Sequence, residues 1–309
     1  MANLPTLPGV SITSNTLSGE LKREPPKLLY HYTSTKGIKG ILESKKVWAT
    51  NVRYLNDSKE FYLVFEYALR EAQKRIKTAS GMEKSCYEFF LELMDSPHGW
   101  SSERSWIRGF DNSHQLFTCS FSERGDLLSQ WRAYCPTGGY SIGFETSSIT
   151  EVIEREKPKY ELYPCVYKED VQKEIIKEYF DSGIASVSGQ LGNNNKDEMI
   201  KAYGSDLQFK LVEIAPIFKH HSFEEEREWR LVYDAKFGRV EKFKFRDDGA
   251  LLKPYVEFPL LQKGRLKNCL IMVSPMKDQK IAGESLVAFA KEHMESSSVT
   301  LSDSPFKSA

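Results

Sequence analysis

The sequence predicts a mixed α+β fold with largely antiparallel strand pairing. Short strand-like runs and amphipathic helical runs interleave along the chain, and they do so without the regular strand-helix-strand cadence of a parallel sheet. The chain also has the material for a sizeable core, with 309 residues, 40% hydrophobic and 28% charged, and no internal repeat.

Residues 1–27 carry Pro5, Pro8, Pro25 and Pro26 among many Ser, Thr and Asn without a sustained period, which predicts a flexible leader. Structure is expected to begin at Leu28-Leu29-Tyr30-His31-Tyr32-Thr33, an aromatic-rich strand. Ser34 is placed to cap a helix in which Ile38, Ile41 and Leu42 recur at helical spacing. A strand at 46–50 and a loop at 51–57 follow, and Asp57 with Glu60 reads as a capping box. The helix it opens places Phe61, Val64, Phe65, Ala68, Leu69, Ala72 and Ile76 on one stripe, which reads as core. A second amphipathic segment carries Cys86, Phe89, Phe90, Leu93 and Met94, and a polar loop with Trp100 and Trp106 spans 95–113.

The run at 116–122 is a buried-type strand, and Asp126 is placed to cap a short helix through Tyr134. A strand at 139–144 follows, whose glycines predict close backbone approach. Further expectations are a strand near 165–167, helices at 171–180 and 199–218, and a Gly/Ser/Asn-rich mobile loop between them at 182–196. The stretch at 224–233 alternates like a strand, with Trp229, Leu231 and Tyr233 on one face and Glu226, Glu228, Arg230 and Val232 on the other. Strands at 242–246, 255–258 and 269–273 and a helix at 279–294 complete a single domain at 28–295, and 296–309 reads as a polar tail.

The charge is balanced, Lys+Arg 43 against Asp+Glu 43, so no net field draws the chain to a polyanion or an acidic membrane. No apolar run is long enough to span a bilayer, and the N-terminus lacks the order of a signal peptide, so a cytoplasmic protein is expected. The five cysteines are widely spaced, without a Cys-x-x-Cys pair, and read as reduced packing residues with no metal site.

No phosphate loop, dinucleotide glycine fingerprint, nucleophile elbow or His-Glu-x-x-His occurs. What remains is dispersed: His31, Tyr54 with Asn56-Asp57, Ser122, the helix carrying Gln130, Arg132 and Tyr134, and the pair Glu226 and Glu228. Each has a plain reading: a hydrogen-bonded structural histidine, helix caps, a solvated strand. A metal-dependent nuclease using Glu226, Glu228 and Asp126 is disfavoured by the charge balance and by the absence of a tight carboxylate spacing.

Taken together, the motifs resemble a family. His-Tyr-Thr-Ser, Gly-Ile-Leu-Glu-Ser, Trp-Ala-Thr-Asn-x-x-Tyr-Leu-Asn-Asp, Phe-Ser-x-x-x-Asp-x-Leu-Ser-Gln-Trp-Arg-x-Tyr, Gly-Tyr-Ser-Ile-Gly-Phe and Glu-Arg-Glu-Trp-Arg-Leu resemble, in order, a bacterial family catalogued as domain-of-unknown-function family 2971. The opening His strand, the helix with Ile-Leu and the late Glu-x-Glu strand are also similar to the ADP-ribosyltransferase superfamily. That resemblance implies a split sheet with flanking helices around NAD, used as substrate without a metal. His31 would bond a ribose hydroxyl with Tyr32 and Thr33 beside it, and Tyr54 or Tyr134 would stack on nicotinamide. Glu228 would be the catalytic carboxylate and Glu226 would orient the acceptor. Ser122, Gln130, Arg132 and Arg230 would serve the phosphates or the second substrate. The chemistry implied is transfer of ADP-ribose to a protein, a nucleic acid or water, in a bacterial stress or phage-defence setting. The alternative within the same fold is a non-catalytic module that binds a nucleotide or a partner.

Overall fold

The computed structural model describes residues 14–55, 58–95, 115–156, 160–189, 195–234, 243–260 and 264–305. In chain order the described elements are α1 (Asn15–Leu21), β1 (Leu28–Thr33), α2 (Thr35–Ser44), β2 (Lys46–Asn51), α3 (Ser58–Arg75), α4 (Gly81–Asp95), β3 (Leu116–Ser122), α5 (Leu128–Tyr134), β4 (Tyr140–Glu145), α6 (Thr146–Glu156), β5 (Tyr160–Pro164), α7 (Glu169–Gly189), α8 (Lys196–Ile214), β6 (Glu228–Asp234), β7 (Lys244–Asp247), β8 (Leu252–Pro259), β9 (Cys269–Val273), α9 (Gln279–His293) and β10 (Ser297–Leu301).

One sheet joins all ten of these strands, in the order β10-β9-β4-β1-β3-β2-β8-β7, with β6 on β3 and β5 on β6. Every strand pair is antiparallel except β10 with β9. The mixed, largely antiparallel architecture with flanking helices is as the interleaved patterns predict.

The sheet branches at β3. β6 pairs with β3 along its whole length, from Leu116↔Asp234 to Ser122↔Glu228. The other edge is shared: β2 meets it at Thr50↔Thr118 and Asn51↔Phe117, and β1 only at Tyr30↔Ser122. β1 and β2 therefore diverge across the middle of β3.

Alternation then assigns the faces. Phe117, Cys119 and Phe121 of β3 and Trp229, Leu231 and Tyr233 of β6 join one core with Ile38 and Leu42 of α2, Ile149 and Val152 of α6 and Leu286 of α9. Leu116 and Val232 join the opposite core, built by α3, α4, α7 and α8. The stripe predicted for α3 is core, with Phe61, Val64, Phe65, Ala68 and Ala72 all buried. Ser34 caps α2 as expected, its hydroxyl accepting from the Gly37 amide at 3.2 Å. All five cysteines are free and buried.

Several elements differ from the sequence reading, and in most a distant partner supplies what the local pattern lacks. Within the expected leader, Asn15–Leu21 is helical, capped by Ser14, and Thr16 bonds the Glu178 carboxylate of α7. The expected polar tail contains β10, which is ordered by parallel pairing with β9, Ser297↔Cys269 to Leu301↔Val273. Residues 182–189 of the expected loop continue α7, and residues 190–194 lie outside the described residues. The strand expected near 165–167 runs at Tyr160–Pro164 instead, and Val166 makes a single bridge to Phe218. The helix predicted to reach 218 ends at Ile214 and tightens into a 3-10 turn over Ala215–Ile217, where Pro216 cannot supply an amide donor. Helix α6 was not expected at all.

Asp126 does not cap α5: Leu127 is at the cap position without a side-chain bond. Its carboxylate instead accepts from Trp131 Nε1 and from Ser302 Oγ, each at 2.6 Å, tying α5 to the end of β10. The close approach predicted at the glycines of β4 is internal, because a Cβ on Gly143 would sit 2.6 Å from the Tyr30 ring. Asn56, Asp57, Trp100 and Trp106 lie outside the described residues.

A candidate site at the charged end of the central strand

The chain approaches β6 through Lys219, then a 3-10 turn at His221–Glu226 that His220 opens by accepting from the Ser222 amide. Arg227 sits in the left-handed region at φ 42° and ψ 54°, a conformation costly for a residue with a Cβ. That kink takes Glu226 off the strand, which begins at Glu228, so the expected Glu-x-Glu-x-Arg alternation holds only for Glu228 and Arg230.

The kink nevertheless returns Glu226 to the same place. The Lys219 ammonium donates to Glu226 Oε2 and to Glu228 Oε2. Arg230 Nε donates to Glu228 Oε1 at 2.7 Å, Arg230 Nη2 to Glu228 Oε2 at 3.3 Å, and Arg230 Nη1 to the Pro216 carbonyl at 2.6 Å. Two carboxylates and two cations form a neutral quartet, with Lys219, Glu228 and Arg230 each 4% exposed. The surrounding backbone is held as well: the Glu228 amide donates to the Tyr167 hydroxyl at 2.7 Å, and Ser122 Oγ donates to the Glu226 carbonyl at 2.7 Å.

The two carboxyls are pushed apart in acidity. Burial raises that of Glu228, but Arg230 and Lys219 outweigh burial and hold it down at about 2. At Glu226 burial wins over Lys219, and its carboxyl lies above the usual range. Tyr134, about a third exposed on α5, feels all four charges. Burial, with the Glu228 carboxylate adding to it, pushes its phenol up to about 12.

His31 does not join this group. Its ring packs 5.9 Å from that of Phe121, and its Nδ1 lies 3.7 Å from Cys119 Sγ, so it belongs to the face carrying Trp229. Glu228 points to the other face, with its register partner Ser122. The expected convergence of His31 with Glu228 is therefore not found, because β3 separates their strands and alternation puts the two on opposite faces. His31 Nδ1 is 3.0 Å from the Ser120 carbonyl, in the part of β3 where β1 and β2 have diverged. A carbonyl only accepts, so Nδ1 carries the proton. Burial lowers the pKa of the imidazole below its ordinary 6.5.

The remaining expected residues divide in the same way. Gln130, Arg132 and Tyr134 all lie on α5, Gln130 buried and Arg132 exposed. Tyr32 donates to the Arg124 carbonyl at 2.8 Å and accepts from the Leu127 amide at 2.9 Å, a loop-holding role. Thr33 ends β1, where its carbonyl accepts from Cys135 Sγ at 3.4 Å. Tyr54 follows β2, at the Phe117 end of β3, whereas Glu228 is at the Ser122 end. A cavity beside Asn51, Arg53 and Gln115 has about 10 Å³ of room, enough for one water.

Lys219, a member of the quartet, and Tyr167 beside it are not among the residues that the sequence pattern points to. A lysine following Ile217-Phe218 offers only a weak signal, a cation at the end of a buried run. Burial raises the thiols of Cys119, Cys135 and Cys269 to about 12 and that of Cys86 to about 11, so these cysteines are poor nucleophiles. Among the described residues no group of three or more His, Cys, Asp and Glu is placed to hold a metal ion, and no helix is long and apolar enough to cross a membrane.

No curated protein and no solved structure matches the chain. A family model described as Protein of unknown function (DUF2971) matches residues 130–231, from α5 to β6, and so spans Tyr134, Lys219, Glu226, Glu228 and Arg230; over that stretch the chain is similar to this family.

Proposed function

We propose that the chain is a non-catalytic nucleotide-binding module in which the charged end of β6 is a brace. The observation that carries the non-catalytic part of this reading is the pairing of both oxygens of Glu228 with buried cations. Its two oxygens receive donors from Lys219 and Arg230, and almost none of it meets solvent. A carboxylate that stabilises charge developing on a ribose must face that ribose, and its stabilisation must grow in the transition state. One already neutralised by two buried cations is poorly placed for that work. His31, the residue expected to hold the ribose, gives its Nδ1 proton to the Ser120 carbonyl and faces away from Glu228.

The second reading is cleavage of NAD with transfer of ADP-ribose, by an ADP-ribosyltransferase-like fold in bacterial stress or phage defence. It is favoured by the divergence of two neighbouring carboxyls, Glu228 a fixed anion and Glu226 raised, the pattern that separates acid and base roles. Incubating the full chain with NAD and measuring nicotinamide release separates the two. The binding module releases none above buffer while still retaining nucleotide in equilibrium dialysis. Release that disappears in Glu228→Gln, with an unchanged melting temperature, would replace the first reading by the second.

A further inference from the structure

The face that carries Glu228 and Arg230 continues across β3 to β2, β8 and β7, where it holds a different combination of groups. β2 buries Val47 and Ala49 on one side, so Trp48 between them points to the other and is 36% exposed. Register puts Tyr255 and Glu257 on that side through Thr50↔Tyr255 and Trp48↔Glu257, and Lys244 and Arg246 through Lys244↔Tyr255 and Arg246↔Lys253. Trp48 and Tyr255 pack with ring centroids 4.5 Å apart and planes at 32°. The guanidinium of Arg246 lies 5.7 Å from the Trp48 centroid.

The charge here is unbalanced. Lys46 and Lys244 both donate to Glu257, at 2.6 and 2.7 Å, so two lysines share one carboxylate; Lys253 on the same side is paired with Asp248, and Arg246 adds a further cation. Among the described residues, Arg246 Nε is buried without a hydrogen-bond partner. A guanidinium N–H withdrawn from water and left unbonded costs stability, and an acceptor that reached it would recover that cost.

The geometry points to this Trp48–Tyr255–Arg246 platform as a binding site for a nucleoside phosphate, with the base stacked on Trp48 and the phosphate taken by Arg246. This assignment rests on the binding-module reading and names its ligand class. An indole face accepts any nucleobase, and the guanidinium fork matches phosphate oxygens in two-point contact while Lys46 and Lys244 add to the attracting field. A strand added to the β7 edge is the weaker fit, since Lys244 and Arg246 are the kind of charges that keep such edges unpaired.

Equilibrium dialysis of the full chain against AMP, adenosine and inorganic phosphate tests it. AMP is expected to bind, and adenosine more weakly. Trp48→Ala lowers AMP affinity about tenfold or more, from the loss of base stacking. Arg246→Ala brings AMP down to the affinity of adenosine and leaves adenosine unchanged. Trp48→Phe, which keeps an aromatic face, retains most of the binding and guards against misfolding of the alanine variant. If AMP binds the wild type and both alanine variants equally, the site is overturned while the module reading stands. If none of the three probes binds the wild type, the ligand assignment is overturned. Nicotinamide release from NAD that requires Glu228 overturns the module reading, whatever the platform binds.

Discussion

The charged end of β6 and the aromatic platform of β2, β7 and β8 lie on one face of one sheet, and they treat their cations in opposite ways. Lys219 and Arg230 meet two carboxylates, a phenol oxygen lies close by, and water is excluded. Arg246 meets an exposed indole and keeps an unbonded Nε. Where ions are buried and fully paired, removing one partner leaves its counter-charge stranded. A partly buried cation that packs on an aromatic face, near His31 and Cys119, and has no carboxylate of its own among the described residues retains the capacity to bind. The residues that look most reactive in the sequence, Glu226 and Glu228, are the ones that the fold has neutralised.

Breaking the quartet gives the largest expected effect. Lys219→Met leaves two buried carboxylates without their shared ammonium and destabilises the fold by about 3–5 kcal/mol in urea unfolding. A loss near zero would show that the quartet is not a brace. The same contrast appears in pH. Glu228 has a folded pKa of about 2 against an ordinary 4.5, so its contribution is present above 4.5 and is lost as pH falls toward 2. His31 has a folded pKa below 6.5, so the unfolded chain binds the extra proton and stability begins to fall once pH drops below 6.5. His31→Gln should flatten the upper part of that acid limb and leave the lower part, as read by melting temperature from pH 7 down to 3.

A smaller loss is expected at Asp126, which joins α5 to the end of β10. Asp126→Ala leaves Trp131 Nε1 and Ser302 Oγ without their acceptor, costs about 1–3 kcal/mol, and speeds amide exchange in residues 297–302. If exchange in β10 does not change, the strand is held by its ladder to β9 alone. Smallest is the platform, where Arg246→Ala removes a partly buried side chain that no salt bridge ties down among the described residues, and changes stability by roughly 0.5 kcal/mol or less. A large loss there would mean that Arg246 is a structural residue, and would remove the contrast between the two regions.

Much of the fold was legible because its signals are local. β1, the Ser34 cap, the α3 stripe and the aromatic face of β6 each follow from residues within a few positions of one another. α6 has a local signal too, Ile149, Val152 and Ile153 at helical spacing, although it is not among the elements expected above. β10 and α1 carry no such pattern: Ser297–Leu301 becomes a strand beside β9, and Asn15–Leu21 is secured by Glu178. The platform had a partial signal, a tryptophan at the outward position between buried Val47 and Ala49. Of the quartet, Glu226, Glu228 and Arg230 were legible as one charged side of the strand, and Lys219 was not, because it is contributed from outside the strand.

The sequence by itself determined the class of fold, the positions of most strands and helices, and the alternation that gives each strand an apolar and a polar side. Those properties depend on periods of two and 3.6 residues, which a short segment carries within itself. Only the tertiary structure decided that His31 and Glu228 face away from each other, that Lys219 closes on both glutamates, and that Trp48 and Arg246 meet across β2, β8 and β7. Such meetings are set by the register of strands far apart in the chain, and a shift of one residue in any of them would turn every side chain to the other face.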